Sequence, residues 1–188
     1  MPLKIVSAII TAVAILIGMP QVAGATDPKW PPGPYKYVVI EQDLRDALTE
    51  FGRNINVPVK ISDEVKGKLR GDLGAGSAED FSKRLTANHG LVWYFDGSVL
   101  HVNAASELRT EVIDLGRILP SDVVSKLSKL GIADPRFPIR TTPGASVVSI
   151  SGPPPYIVLV RQTLAAMARQ QVLPPEDTRV RVFRGSSS

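Results

Sequence analysis

The sequence predicts an α+β protein made of two small mixed domains in tandem. Strand-like and helix-like patterns alternate along residues 35–103 and do so again along residues 108–171. A short polar stretch, NAASELRT (Asn103 to Thr110), separates the two series. No segment past the first 25 residues is apolar enough to span a membrane as a helix, which takes about 20 residues.

The first 25 residues are set apart by composition. Lys4 precedes an apolar run from Ile5 to Ile17, a Gly-Met-Pro break at Gly18 to Pro20, and the small residues Ala23-Gly24-Ala25. This three-part layout is that of a secretory signal peptide cleaved between Ala25 and Thr26. Cleavage leaves 188 minus 25, or 163, residues and lowers the net charge from +4 to +3. That length suits one or two small cores. The exported chain has no cysteine, hence neither disulfides nor a cysteine for a lipid anchor. Lys and Arg are interspersed with Asp and Glu up to the Arg-rich end, a solvated surface and not a polyanion-binding stripe. Residues 26–34 hold Pro28, Pro31, Pro32, Gly33 and Pro34 and read as an extended lead-in.

In the first domain, residues 35–103, YKYVVI is a β-branched and aromatic strand. Leu44, Ala47, Leu48 and Phe51 follow at helical spacing, with Asp43 as N-cap. Two strands come next: Val57, Val59 and Ile61 alternate in one, and Leu69, Gly71 and Leu73 in the other, one face of each inward. Ser77 and Asp80 approach a capping box for a helix with Ala78, Phe81 and Leu85 on its inner face and Gly90 as left-handed stop. LVWYF and SVLHV then flank Asp96-Gly97, which predicts a hairpin with a type I′ turn.

The second domain, residues 108–171, repeats the theme as strand, helix, strand, strand, helix. TEVIDL is the first strand; SDVVSKLSKLG is a helix capped by Ser121, with Val123, Leu127 and Leu130 inward and Gly131 as stop. FPIRTT and ASVVSIS are strands about the Pro143-Gly144 turn. In PPPYIVLVRQTLAAMARQ, prolines open a helix with Ile157, Val160, Leu164 and Met167 on one face. Residues 172–188 form a linker and a terminal strand stub, TRVRVFR, in which Arg179, Arg181 and Arg184 are candidate partner contacts.

The stretch from YVVIEQDLRDALTEFG to the LVWYFDGSVLHV hairpin resembles the short periplasmic N-terminal domain of secretins and of some TonB-dependent receptors. The second domain, with VVSISGPPPYIVLVRQ, resembles the KH-like ring-building domain that follows in type III secretion secretins, and RVRVFR the first strand of the domain after that. Full secretins continue into a β-barrel, which 163 residues already assigned to two mixed domains leave no room for. The chain resembles the split rhizobial nodulation type of secretin (NolW-like), in which the N-terminal piece and the barrel are separate polypeptides.

The resemblance implies an exported protein in the periplasm, tied to the outer membrane through a partner. Its implied partners are an outer-membrane secretin barrel subunit, an inner-membrane ring component of the type III system, and further copies of itself in a ring. A terminal strand with nothing downstream to pair with reads first as a frayed tail or an extra edge strand on the second domain, with addition to a neighbouring sheet edge as the other reading. An alternative is a signalling module of the TonB-dependent-receptor type.

An enzyme is not expected, nor is a cofactor or a metal. His89 at a helix end and His101 in a strand have neither metal-ligand spacing nor a triad setting. Asp43, Asp46, Glu79, Asp80, Glu176 and Asp177 are helix-start or loop carboxylates. The run Gly71 to Gly76 has no phosphate-loop Lys-Ser/Thr and reads as a flexible turn. Trp30, Trp93 and Tyr94 are expected in core or edge packing. No nucleic-acid partner is expected, because the second domain lacks the Gly-x-x-Gly clamp of RNA-binding KH domains.

Overall fold

The computed structural model describes residues 27–170. The expected cleavage site Ala25/Thr26, the carboxylates Glu176 and Asp177, and Arg179, Arg181 and Arg184 of the expected terminal strand lie outside the described residues. Elements follow the order β1 (Val38–Asp43), α1 (Leu44–Asn54), β2 (Val59–Ile61), β3 (Lys68–Asp72), α2 (Ala78–His89), β4 (Leu91–Phe95), β5 (Leu100–Ala104), β6 (Arg109–Asp114), α3 (Pro120–Lys129), β7 (Ile139–Thr141), β8 (Val147–Gly152) and α4 (Pro154–Gln170). A single 3₁₀ turn, Ala105–Glu107, joins β5 to β6.

Two sheets share the first half. β1 pairs with β3 antiparallel, with a register break between Val39 and Gln42 that turns Ile40 fully to solvent, 98% exposed. The second sheet has the order β2-β5-β4, with β2 parallel to β5. Between the sheets, α1 and α2 bury Leu44, Ala47, Leu48 and Phe51 against Ala78, Phe81 and Leu85. Gly52 of α1 lies so close to β2 that a Cβ there would sit 2.3 Å from a methyl of Val59. The second half has one antiparallel sheet, β6-β8-β7, with Val148 and Ile150 facing α3 and α4. Its other face carries Thr110, Val112, Val147, Ser149 and Ser151, placed by the β6–β8 register.

Local signals explain most of the elements. Asp43 caps α1 by accepting the Arg45 amide at 2.8 Å. Ser77 and Asp80 form a complete capping box, in which Asp reaches back as Glu or Gln ordinarily does. Gly90 and Gly131 adopt left-handed backbone where the second and third helices end. Pro154 and Pro155 begin α4.

Five expectations need correction. The turn after β4 is not type I′: Gly97 has positive φ but Asp96 does not. Strand pairing ends at Phe95 and Leu100, and the Asp96 carboxylate takes the amides of Ser98 and Val99 at 2.9 and 2.8 Å, closing the wider loop through its side chain. Ser121 is not the cap of α3; Leu119 holds that position without a side-chain bond, and Pro120 starts the helix two residues earlier than a Ser121 cap would. Leu130 points outward at 59% exposure, because the chain leaves α3 there. In β3 only Leu69 is buried, since Gly71 takes φ +80° and breaks the alternation. The first strand begins at Val38 and not at Tyr35; Tyr35 and Tyr37 stack on one another over the core instead of pairing.

Candidate functional site

The most constructed region outside the two cores is the seam between them. β4 supplies both sides of it. Adjacent residues of a strand point to opposite faces, and here each face belongs to a different core. Trp93 packs into the first core, edge-on to Trp30 of the lead-in at 5.8 Å. Tyr94, 2% exposed, belongs to the second core, 5.1 Å from the ring of Tyr156 and 6.5 Å from that of Phe137. From the second half, Arg136 lays its guanidinium 3.7 Å above the Trp93 ring. Asp134, whose side chain is only 2% exposed, holds that guanidinium through Nε at 3.0 Å and a terminal nitrogen at 2.6 Å.

Beside the seam opens a cleft of about 650 Å³. Lys60, Asp96 and His101 line one wall, and Pro154, Val158 and Leu159 of α4 the other. His101 pairs with Asp96 through Nε2 at 2.7 Å and stacks on Tyr94. Partial burial would raise the Asp96 carboxyl, but bonds from His101, Val99 and Ser98 outweigh it and hold the group well below the usual carboxylate range. Burial pushes the Tyr94 phenol up, with the charge of Asp96 adding to it, and raises Tyr156 to about 12. The seam phenols are therefore neutral at physiological pH.

These groups do not converge as a catalytic site does. Among the described residues, no cluster of three or more His, Cys, Asp or Glu is placed to hold a metal. Asp43 and Asp80 serve as caps, Glu79 pairs with Lys83 at 2.6 Å, and Asp46 is exposed in the first turn of α1. His89 ends α2, whereas His101 lies in β5 and pairs with Asp96 of the loop before it. Asp72 accepts the Gly74 amide at 2.7 Å, so the glycine-rich stretch is a side-chain-closed turn. Trp30, Trp93 and Tyr94 do pack as core residues, but the sequence did not show that Tyr94 serves the other core. A strand whose consecutive residues Trp93 and Tyr94 are both large and aromatic was the available sign.

The surface offers apolar docking elements. Val38 and Ile40 stand out on β1, Val112 and Val147 on the open face of the second sheet, and Leu119, Val124 and Leu130 along α3. The sheet face and the α3 face lie on different sides of the same unit, the arrangement that a head-to-tail contact between copies uses. Solved and curated proteins resemble this architecture. The N0N1 part of InvG, solved in the Salmonella SPI-1 injectisome base with SpaPQR and PrgHK, matches at a TM-score of 0.65 and 25% identity, covering 76% of this chain and 99% of that one. The type 3 secretion system secretin of Xanthomonas euvesicatoria is 33% identical over 162 residues, 86% of this chain and 26% of the secretin. The fold thus defines the class, the N-terminal part of type 3 secretion secretins, and the chain spans about a quarter of the length of those secretins. No protein-family model matches. The nodulation protein NolW of Rhizobium fredii is 41% identical over 181 residues, which are 93% of this chain and 77% of NolW. The chain belongs to the NolW family of nodulation proteins.

Proposed function

We propose that this chain is exported, is cleaved between Ala25 and Thr26, and acts in the periplasm as the N-terminal ring part of a type III secretion secretin whose barrel is a separate polypeptide. Residues 35–103 and 108–171 are its two domains, and its role is structural and not enzymatic. The observation that carries this reading is the 41% identity to NolW across 93% of the chain. The lengths support the split. The match takes up 77% of NolW, whereas nearly three quarters of the Xanthomonas secretin lies outside its match. NolW therefore has little room for what the longer secretins carry.

In this reading the ring docks on an inner-membrane ring component, as the InvG N0N1 part is solved together with PrgHK. Copies meet by heterologous contact between the open sheet face and α3, which closes a ring when the rotation per subunit closes. Arg179, Arg181 and Arg184, in the stretch expected to form a terminal strand, are candidate contacts with a partner. A signalling role of the receptor type accounts for the first domain alone, whereas the likeness to secretins runs through both. Co-purification from envelope fractions tests the proposal. The processed chain comes down with an outer-membrane secretin subunit if the proposal holds; a monomer in periplasmic extract while that subunit is present overturns it.

A further inference from the structure

The seam is built more elaborately than a tether between two beads requires. Tyr94 alone would join the halves as a pivot, because a single buried aromatic leaves rotation about its own contact. Arg136 adds a second contact on the opposite face of the same strand, reaching over to Trp93 at 3.7 Å. Two contacts on opposite faces of one strand remove that rotation.

The second contact is itself braced at both ends. Asp134, buried in the second half, grips the guanidinium through two oxygens and also accepts the Arg136 amide at 2.9 Å. A planar fork held in this way is pre-organised to stack, which a lysine is not. On the other side Trp93 is backed by Trp30, so the proline-rich lead-in packs against the ring that Arg136 covers. Arg136 itself is 40% exposed and adds little to the packing of its own core. Its geometry serves the relation between halves.

We infer that Arg136 is a positioning residue: held by Asp134 and stacked on Trp93, it fixes the angle between the two halves of the chain, with Tyr94 as the pivot. The angle matters because the walls of the 650 Å³ cleft come from different halves and because each half, in a ring, keeps its own radius. This inference stands whether or not the chain forms a secretin ring.

The chain has no cysteine, so A87C/K129C, on exposed positions of α2 and α3, accepts spin labels at those two sites alone. Electron–electron distance measurements on the whole exported chain read the angle directly. The parent gives one narrow distance distribution. R136A raises the share of displaced orientations by about tenfold, the scale of a partly desolvated cation–π contact, and R136K does not restore the parent distribution. R136A also leaves the buried Asp134 carboxylate without its guanidinium, so the second half melts below the parent's, while circular dichroism and melting of the first half stay near the parent's. A distribution in R136A as narrow as the parent's, at the same mean, overturns the inference. Should R136A unfold the second half, W93L, which removes the aromatic face that a phenylalanine would keep, decides from the other side of the stack: broadening supports the lock, and an unchanged distribution refutes it.

Discussion

Truncating Tyr94 separates this account from an ordinary reading of the strand. Tyr94 sits in β4 among first-half residues, yet its ring is 2% exposed within the second core, beside Tyr156 and Phe137. Y94A removes a buried aromatic side chain and leaves a cavity, a change that costs about 3–5 kcal/mol. The two ring–ring contacts account for about 0.5–1.5 kcal/mol each within that range of losses. A domain of about 60–100 residues loses roughly 4–8 °C in Tm per kcal/mol, so melting of the second half should fall by about 12 °C or more. Native-state hydrogen exchange gives the assay. Amides of α3 and α4 lose protection in Y94A, while those of α1 and α2 hold theirs. Y94F keeps the ring and serves as control, with a change of about 1 kcal/mol or less. Loss of protection confined to α1 and α2 would refute the assignment of Tyr94 to the second core.

Three further outcomes follow from local geometry. G52A sets two effects against each other: alanine is better than glycine inside a helix by about 1 kcal/mol, but its Cβ would lie 2.3 Å from the Val59 methyl and 2.8 Å from the Val57 carbonyl oxygen. Overpacking of that kind costs about 1–3 kcal/mol, so the variant is destabilised in urea unfolding. S77A breaks the capping box of α2 and lowers stability by about 1 kcal/mol, measured by the same titration. Asp96 has its folded pKa depressed, so its contribution is present above its unfolded pKa of about 3.9 and is lost as pH falls below that value. Stability of the parent should drop on acidification below pH ~4 more steeply than that of D96N, and equal slopes would contradict the role given to the His101, Ser98 and Val99 bonds.

Signals that act within a few residues were legible in the sequence, and those that depend on distant partners were not. The stripe Leu44, Ala47, Leu48, Phe51 and the box Ser77/Asp80 are set by helical geometry alone, and both are observed. Asp96-Gly97 misled because the dipeptide's preference for a two-residue turn competes with the Asp carboxylate's ability to cap Ser98 and Val99. Leu130 matched a helical repeat that the helix does not continue far enough to use. The parallel pairing of β2 with β5, across 40 residues of intervening chain, leaves no local trace. The seam was the least legible part. Its members, Trp93, Tyr94, Asp134 and Arg136, are unremarkable one by one, and only tertiary placement joins the last two to the first.

In the proposed function this chain forms the periplasmic ring part of a type III secretion secretin. Electron microscopy of type III secretion bases isolated from envelopes, with and without the gene for this chain, addresses it most directly. The account predicts a ring of two-domain density at the periplasmic end of the outer-membrane pore, lost when the chain is deleted and restored when it is supplied again. Bases whose periplasmic ring is unchanged by the deletion would contradict it.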